Sequence, residues 1–207
     1  MTNFTLYGDS ISGNCLKPKW TAERLGMPFD WRETSVVAGE TRKPEFLALN
    51  PWGQVPLAVL ADGRTLTQSN AIMLYLAEGS ALIPADAYER AQMFAWLFWE
   101  QYSHETCIAV RRFRVAFLNL KGDDTDRTLE TRGNTALAHM EASLAGRGYF
   151  VGDALSCADI ALVAYTRWAP DGGFDLGSLP NVRAWIARVE NDLGIGTAGF
   201  QPATSFG

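Results

Sequence analysis

One stretch decides the fold of the first part of the chain: NPWGQVPLAVLADGRTLTQSNAIMLYL, residues 50–76. Within it, residues 57–60 form a short apolar run that is typical of a buried strand, and the D-G dipeptide behind this run is a hairpin signal. We therefore predict a second strand over 65–67, antiparallel to the first, and a helix over 69–78.

Strand and helix patterns alternate ahead of this stretch. They are a strand at 4–7, a helix at 15–25, a strand at 29–33 and a helical turn at 44–49. A strand–helix–strand unit of this length places its two strands parallel. The order β-α-β-α-β-β-α predicts an α/β domain of thioredoxin-like type, which we assign to residues 1–80.

Strand signals are absent from the second half. Helical patterns are predicted at 88–120, 128–144, 158–168 and 182–193. This half is therefore interpreted as an all-α domain over residues 88–207, joined to the first domain by a linker rich in Gly, Pro and small residues.

Composition restricts the possible partners. The chain has 207 residues, a formal net charge of −5 and a pI near 5.1, and an acidic chain without a Lys/Arg cluster is poorly suited to phosphate backbones. It has no apolar stretch of about 18 residues and no secretory signal. Its three cysteines are far apart and form no C-x-x-C pair. We predict a cytoplasmic protein without metal, membrane or nucleic acid partners.

Three short motifs could contact an extended peptide, a carboxylate and a thiolate respectively, although each also has a structural interpretation. Pro56 precedes a strand, where it can be a simple turn residue. Ser69 can be a helix N-cap, but the N–H groups and dipole at the same place can also bind a carboxylate. Asn14 can cap the first helix, while Ser12 beside it can donate to a thiolate and lower its pKa.

Together, in this order, the motifs resemble a known family. S-G-N-C-x-K at 12–17, N-P-W-G-Q-V-P at 50–56 and Q-S-N-A-I-x-x-Y-L at 68–76 are similar to the N-terminal domain of the cytosolic glutathione transferase superfamily. The all-α half resembles that family's C-terminal domain, in which S-C-A-D at 156–159 has the form of a capping box that supports folding. The resemblance implies a homodimeric enzyme that takes glutathione and a small apolar electrophile.

The resemblance also implies which residues hold glutathione. They are Val55, with Pro56 cis, for the cysteinyl backbone; Gln68 and Ser69 for the γ-glutamyl end; and Gln54, with Thr41 or Arg42, for the glycyl carboxylate. The electrophile site is expected to be walled by the first long helix and the loop after Ser10. Six residues are conspicuous there, although a structural role is the simpler interpretation of each: Trp99, Tyr102, His104, Arg111, Arg112 and Trp168.

Ser12 matches the catalytic serine of the serine-type classes, although Asn14 stands where those classes often have Pro. Ser10 and Cys15 are the alternatives, ranked in that order, and Tyr7 is interpreted as a core residue. Pro18 is tolerated only in the first turn of a helix, so we predict that the first helix begins no earlier than Asn14.

Three functions are compatible with these residues. A glutathione transferase is the preferred hypothesis. Glutathione-dependent reduction or isomerisation on the same scaffold is a second hypothesis; the absence of a cysteine in the place of Ser12 disfavours a reductase, which would have to use Cys15 for thiol–disulfide exchange. A non-catalytic binding protein could keep the same fold, because fold does not fix function.

Overall fold

The computed structural model describes residues 4–196. The chain divides into two compact units, Met1–Ile83 and Pro84–Gly207.

Over residues 4–83 the first unit contains a four-stranded sheet and three α-helices. Its elements are β1 (Phe4–Gly8), α1 (Gly13–Arg24), β2 (Phe29–Glu33), α2 (Pro44–Leu49), β3 (Leu57–Val59), β4 (Thr65–Thr67) and α3 (Ser69–Ala77). The strand order is β2-β1-β3-β4, with β1 parallel to β2 and β3 antiparallel to both of its neighbours. The predicted βαβ unit, the hairpin and the thioredoxin-like element order are therefore confirmed.

The core of this unit explains why these segments form strands and helices. Alternate residues of β1 are buried, and Leu6 packs with Ala58 of β3 and Ile72 of α3 in one apolar cluster. Burying such side chains contributes about 1.5–3 kcal/mol each. Helices α1 and α3 pack against each other, so the residues that begin these two helices are held in a fixed relation.

The start of α1 differs from the prediction. The helix begins at Gly13, so the prediction of a start no earlier than Asn14 is wrong, and Pro18 lies inside the helix. The physical reason is that two N–H groups ahead of the proline, those of Cys15 and Leu16, already donate to the Ser12 carbonyl. Pro18 removes the bond that its own N–H would make and crowds the carbonyl four residues earlier, but it leaves these first bonds intact.

Within residues 84–196 the regular structure of the second unit is helical, as predicted. Its helices are α4 (Ala87–Trp99), α5 (Glu105–Arg112), α6 (Asp124–Ser143), α7 (Cys157–Thr166) and α8 (Pro180–Leu193). The long helix predicted over 88–120 is interrupted twice, by π-helical segments at Glu100–His104 and Phe113–Phe117. Helix α6 begins before the predicted residue 128 because Asp123 caps it, accepting a hydrogen bond from the Asp126 N–H at 2.7 Å.

Helix α7 forms the centre of the second unit, since all ten of its residues are buried. The predicted capping box at its N-terminus, between Ser156 and Asp159, is confirmed. The Asp159 carboxylate also accepts from the Phe150 N–H at 3.0 Å and the Trp185 indole N–H at 2.9 Å. No helix within residues 4–196 has the length and apolarity needed to cross a bilayer.

Candidate active site

Ser12, the residue predicted to be catalytic, is the N-cap of α1. It is half-buried, its N–H donates to the Asp9 carbonyl at 2.9 Å, and its own carbonyl accepts the first bonds of the helix. Its hydroxyl does not cap the helix backbone and hydrogen-bonds to the Cys15 thiol instead. A hydroxyl therefore lies at the positive end of a 12-residue helix, where negative charge is favoured.

The loop between β1 and α1 is fixed by a buried carboxylate. Asp9 accepts from the Ile11 N–H at 3.1 Å through one oxygen and from the Val36 N–H at 2.9 Å through the other. The backbone that presents Ser12 is thus tied to a segment 27 residues further along the chain. Nothing in the sequence marks this role of Asp9, because neither of its partners belongs to a motif.

Ser10, the first alternative to Ser12, is engaged elsewhere. Its N–H and its hydroxyl donate to the two carboxylate oxygens of Glu33, at 2.8 and 2.6 Å, and the Trp31 indole donates to the same carboxylate at 2.8 Å. Burial raises the pKa of Glu33, but these hydrogen bonds outweigh it and lower the pKa below its ordinary value. A hydroxyl that already donates to a carboxylate is a poor donor for a second anion.

Cys15, the second alternative, has a buried thiol. Burial raises its pKa to about 11, despite hydrogen bonds from the Asp9 backbone and the Ser12 side chain that lower it. At neutral pH the thiol is therefore protonated and unsuited to nucleophilic chemistry. Tyr7 packs edge-on against Phe46, with ring centroids 6.0 Å apart, which fits its interpretation as a packing residue.

The turn before β3 is held by Asn50, which is buried. Its side chain donates to the Gln54 carbonyl at 2.7 Å and accepts from the Trp52 N–H at 3.2 Å. The Val55–Pro56 peptide is cis, as the resemblance implies. Regular pairing of β3 starts only after this peptide, and within residues 4–196 no hydrogen bond uses the Val55 backbone N–H or C=O. The structure thus leaves one donor and one acceptor open at this bend.

Gly53 allows a guanidinium to approach the same turn. A Cβ at this residue would lie 2.6 Å from Nη1 of Arg42, and its φ of 60° is in the left-handed region that favours glycine. Arg42 and Gln54 are exposed beside each other, whereas Thr41 is only 3% exposed. Of the two predicted contributors, Arg42 is the one whose side chain is accessible to a ligand, and the role of Thr41 remains a prediction.

The N-terminus of α3 has a strained backbone. Its N-cap is Gln68, with φ 69° and ψ 116°, a conformation that residues with a Cβ rarely adopt. Ser69 is the first helical residue, so its interpretation as the N-cap is wrong. Such strain typically clusters where a ligand is held.

Asn14 does not cap α1, contrary to the structural interpretation of its motif, because the helix begins one residue before it. Its Oδ1 instead accepts from Lys17 Nζ at 2.8 Å and from the Ser69 hydroxyl at 3.2 Å. The first turn of α1 is therefore joined directly to the first residue of α3. No sequence signal marked this link, which spans 55 residues.

The strand register brings the three motifs to one end of the sheet. Leu57, at the start of β3, lies opposite Tyr7 near the end of β1 and opposite Thr67 at the end of β4. Ser12 follows β1, Val55 precedes β3 and Ser69 follows β4. One end of the sheet therefore carries the Ser12 hydroxyl, the backbone N–H and C=O of Val55 that are unpaired within residues 4–196, and the N-terminus of α3.

Most of the residues considered for an electrophile site have structural partners in the second unit. His104 is fully buried with Nε2 2.9 Å from the Thr166 hydroxyl. Arg111 pairs with the buried Asp126 at 2.9 Å. These contacts support the structural interpretation for both residues.

Arg112 pairs with Asp171 at 3.1 Å, and its guanidinium lies 4.2 Å from the centroid of the Trp168 ring. Trp99 belongs to an aromatic cluster, with its ring 5.2 Å from that of Trp96. Only Tyr102 is largely exposed, at 80%. Among residues 4–196 there is no group of three or more His, Cys, Asp or Glu side chains arranged to hold a metal ion.

Comparison with known proteins agrees with this geometry. Two family models match: the glutathione S-transferase N-terminal domain over residues 11–78 and the glutathione S-transferase C-terminal domain over residues 106–192. Glutathione S-transferase 3 of Zea mays is 30% identical over 201 residues, which cover 91% of this chain and 90% of that protein. 

Two solved structures extend the likeness to three dimensions. A glutathione S-transferase from Pseudomonas fluorescens has a TM-score of 0.87 and 43% identity, covering 90% of this chain and 94% of that one. One from Xanthobacter autotrophicus has a TM-score of 0.86 and 43% identity, covering 90% and 92%. The resemblance found in the motifs is confirmed, and the chain belongs to the cytosolic glutathione S-transferase superfamily.

Proposed function

We propose that this chain is a serine-type glutathione transferase in which the Ser12 hydroxyl stabilises the glutathione thiolate. The observation that carries the proposal is the position of that hydroxyl, at the helix N-terminus and not used to cap the backbone. Its partner at rest, the Cys15 thiol, is a weak acceptor. A thiolate would replace it with a stronger, charge-assisted hydrogen bond.

The remaining contacts with glutathione come from residues at the same end of the sheet. Val55 offers its backbone N–H and C=O to the cysteinyl residue, and Gln68 and Ser69 receive the γ-glutamyl end. Gln54, with Arg42 or Thr41, meets the glycyl carboxylate. The two helix N-termini and the open backbone pair support an extended, doubly anionic peptide as the ligand.

The chemistry requires the thiol to ionise at neutral pH. A free thiol has a pKa of about 8.5, and a helix N-terminus with a hydroxyl donor lowers it, each unit corresponding to about 1.4 kcal/mol. The thiol proton leaves to solvent, and the sulfur then attacks an electrophilic carbon of an apolar co-substrate. The new C–S bond forms as a leaving group departs with its electron pair, or as the adjacent atom takes a proton.

A glutathione-dependent reductase is the weaker candidate, because it needs a reactive cysteine. The thiol nearest to the site, that of Cys15, is buried and has a pKa of about 11. Isomerase chemistry on the same site would still use Ser12. The identity of the electrophile decides between transferase and isomerase.

We also propose that two copies of the chain associate. Large aromatic side chains are exposed along α4 and the π-helical segment after it: Tyr88 at 72%, Phe98 at 73% and Tyr102 at 80%. A contiguous exposed apolar patch marks an interaction site, and Phe98 and Tyr102, four residues apart along the helical backbone, are placed to form one. Light scattering after gel filtration should give a mass twice that of the chain, and the Phe98→Asp variant should give the mass of a single chain. A monomeric wild-type protein would contradict this proposal.

The decisive variant for catalysis is Ser12→Ala. We expect the pKa of enzyme-bound glutathione, followed by thiolate ultraviolet absorbance, to rise by about one unit or more. Turnover of a chlorodinitrobenzene should fall at least about tenfold, because less thiolate is present and the transition state loses a donor. The affinity for glutathione should change little, since the other contacts remain.

Ser10→Ala is the matched control, since it removes a neighbouring hydroxyl that donates to Glu33. It should leave the pKa of the bound thiol unchanged. Equal effects of the two variants would refute the assignment of Ser12. Absence of glutathione binding at millimolar concentration by calorimetry would instead favour a non-catalytic protein.

A further inference from the structure

Lys17 is a charged side chain that the proposed function does not use, although it lies within the motif that carries Ser12. Its relative exposure is 0%, which is rare for lysine unless the ammonium is paired. It belongs to α1, five residues after Ser12, and its Nζ donates to Asn14 Oδ1 at 2.8 Å. A buried ammonium is therefore kept beside the first turn of this helix.

This ammonium decides how the Asn14 side chain is oriented. An ammonium can only donate, so the end of the amide that faces it must be the oxygen. The amide oxygen has a second lone pair, and the Ser69 hydroxyl lies 3.2 Å from it. Lys17 thus sets the Asn14 rotamer, and Asn14 sets the position of the Ser69 hydroxyl.

Ser69 is a buried polar residue that follows a strained backbone, so a hydrogen-bond partner is needed to fix its orientation. It is 6% exposed at the start of α3, directly after the strained backbone of Gln68. In the proposed function this residue meets the γ-glutamyl carboxylate, an anion. A buried cation two hydrogen bonds away favours that anion electrostatically. Because the single hydroxyl proton of Ser69 is directed at Asn14, the donor that receives the carboxylate is the Ser69 backbone N–H at the start of α3, which the chain from Lys17 through Asn14 holds in place.

We propose that Lys17 is a positioning residue for the γ-glutamyl carboxylate of glutathione, acting through Asn14 on Ser69. This inference rests on the proposed function, because it concerns the same ligand. Lys17 touches neither the sulfur nor the electrophile. Its effect is therefore specific to ligands that carry the carboxylate.

The test compares two peptides with each form of the full-length protein by calorimetry. One peptide is glutathione, and the other is γ-aminobutyryl-cysteinyl-glycine, which lacks only the α-carboxylate. Lys17→Met removes the ammonium and keeps most of the side-chain volume, so the hydrogen bond to Asn14 is lost without leaving a large cavity. We expect it to weaken glutathione binding about tenfold or more and binding of the analogue less than about twofold.

Lys19→Met is the matched control. Lys19 lies two residues away on the same helix, and its ammonium pairs with Glu23 at the surface. This variant should bind both peptides as the wild type does. A purely structural role of Lys17 would weaken both peptides equally and would overturn the inference.

If Lys17→Met does not fold, Asn14→Ala tests the same link. Asn14 is only half-buried, so its truncation should be tolerated, and it breaks the same link from the other side. It should weaken the binding of glutathione more than that of the analogue. Equal losses of affinity for the two peptides would overturn the inference about Lys17 and leave the proposed function standing. A wild-type chain that binds neither peptide overturns the proposed function and this inference with it.

Discussion

Replacing Asp159 with alanine should destabilise the second unit more than any conservative change at the start of α7. The carboxylate is fully buried and accepts from the N–H groups of Phe150, Ser156 and Trp185 and from the Ser156 hydroxyl. The alanine variant leaves three buried N–H donors without their acceptor. At about 1–3 kcal/mol for each such group, the loss is about 3–9 kcal/mol.

A water molecule admitted into the vacated space would bring this loss towards the lower end of the range. Asp159→Asn keeps one acceptor oxygen but turns an NH₂ group towards donors, so we expect about 1–3 kcal/mol. Ser156→Ala removes the hydroxyl that donates to Asp159 and completes the capping box, and it should cost about 1 kcal/mol. The predicted order of destabilisation is therefore Ala, then Asn, then the serine variant.

Urea unfolding at a fixed protein concentration, followed by tryptophan fluorescence and far-ultraviolet circular dichroism, measures these differences. Asp153→Ala is the control, because Asp153 is an exposed acid six residues earlier and should change stability by no more than about 0.5 kcal/mol. An Asp159→Ala variant that loses less than about 1 kcal/mol, or no more than the control, would refute the role of this carboxylate.

Four further predictions concern other parts of the chain. Gln68→Gly should stabilise the fold by about 1 kcal/mol relative to Gln68→Ala in urea unfolding, because only glycine adopts a φ of 69° without strain. Gly133→Ala should lower the melting temperature despite its better helix propensity, since the added Cβ would overlap the ring of Phe174. Cys15 should resist iodoacetamide in the native protein at pH 7.5 and react after unfolding, given its burial and a pKa of about 11; fast native labelling would contradict the assignment. Hydrogen bonds from a backbone N–H and from an arginine lower the pKa of Asp126, so its contribution to stability should be full above about pH 4 and be lost at lower pH. The difference in unfolding free energy between the wild type and Asp126→Asn should therefore shrink as the pH is lowered.

The fold was predictable because its signals are local. The apolar runs around Leu6 and Ala58, the D-G turn and the helix that starts at Ser69 each follow from a few adjacent residues. The parallel pairing of β1 and β2 then follows from the length of the segment between them. The start of α1 was missed because Pro18 suggests a helix boundary by itself, whereas the bonds that begin the helix come from the backbone ahead of it.

The support of the candidate site was not predictable, because it is built from contacts between distant residues. Ser10 and Glu33 are 23 residues apart, and Asn14 and Ser69 are 55 apart. Neither pair has a spacing or composition that would single it out. The π-helical segments were missed for a related reason, since the residues of Glu100–His104 have ordinary helical patterning and the change lies only in their hydrogen bonding.

The bend at Val55 has a consequence for how this site can vary. Recognition there would use atoms that every amino acid other than proline possesses, so the identity of the side chain at position 55 is left open to drift. Its neighbour Gly53 has no such freedom, because any added carbon would displace the guanidinium of Arg42. A saturation library over these two positions should therefore return many functional residues at the first and glycine almost alone at the second.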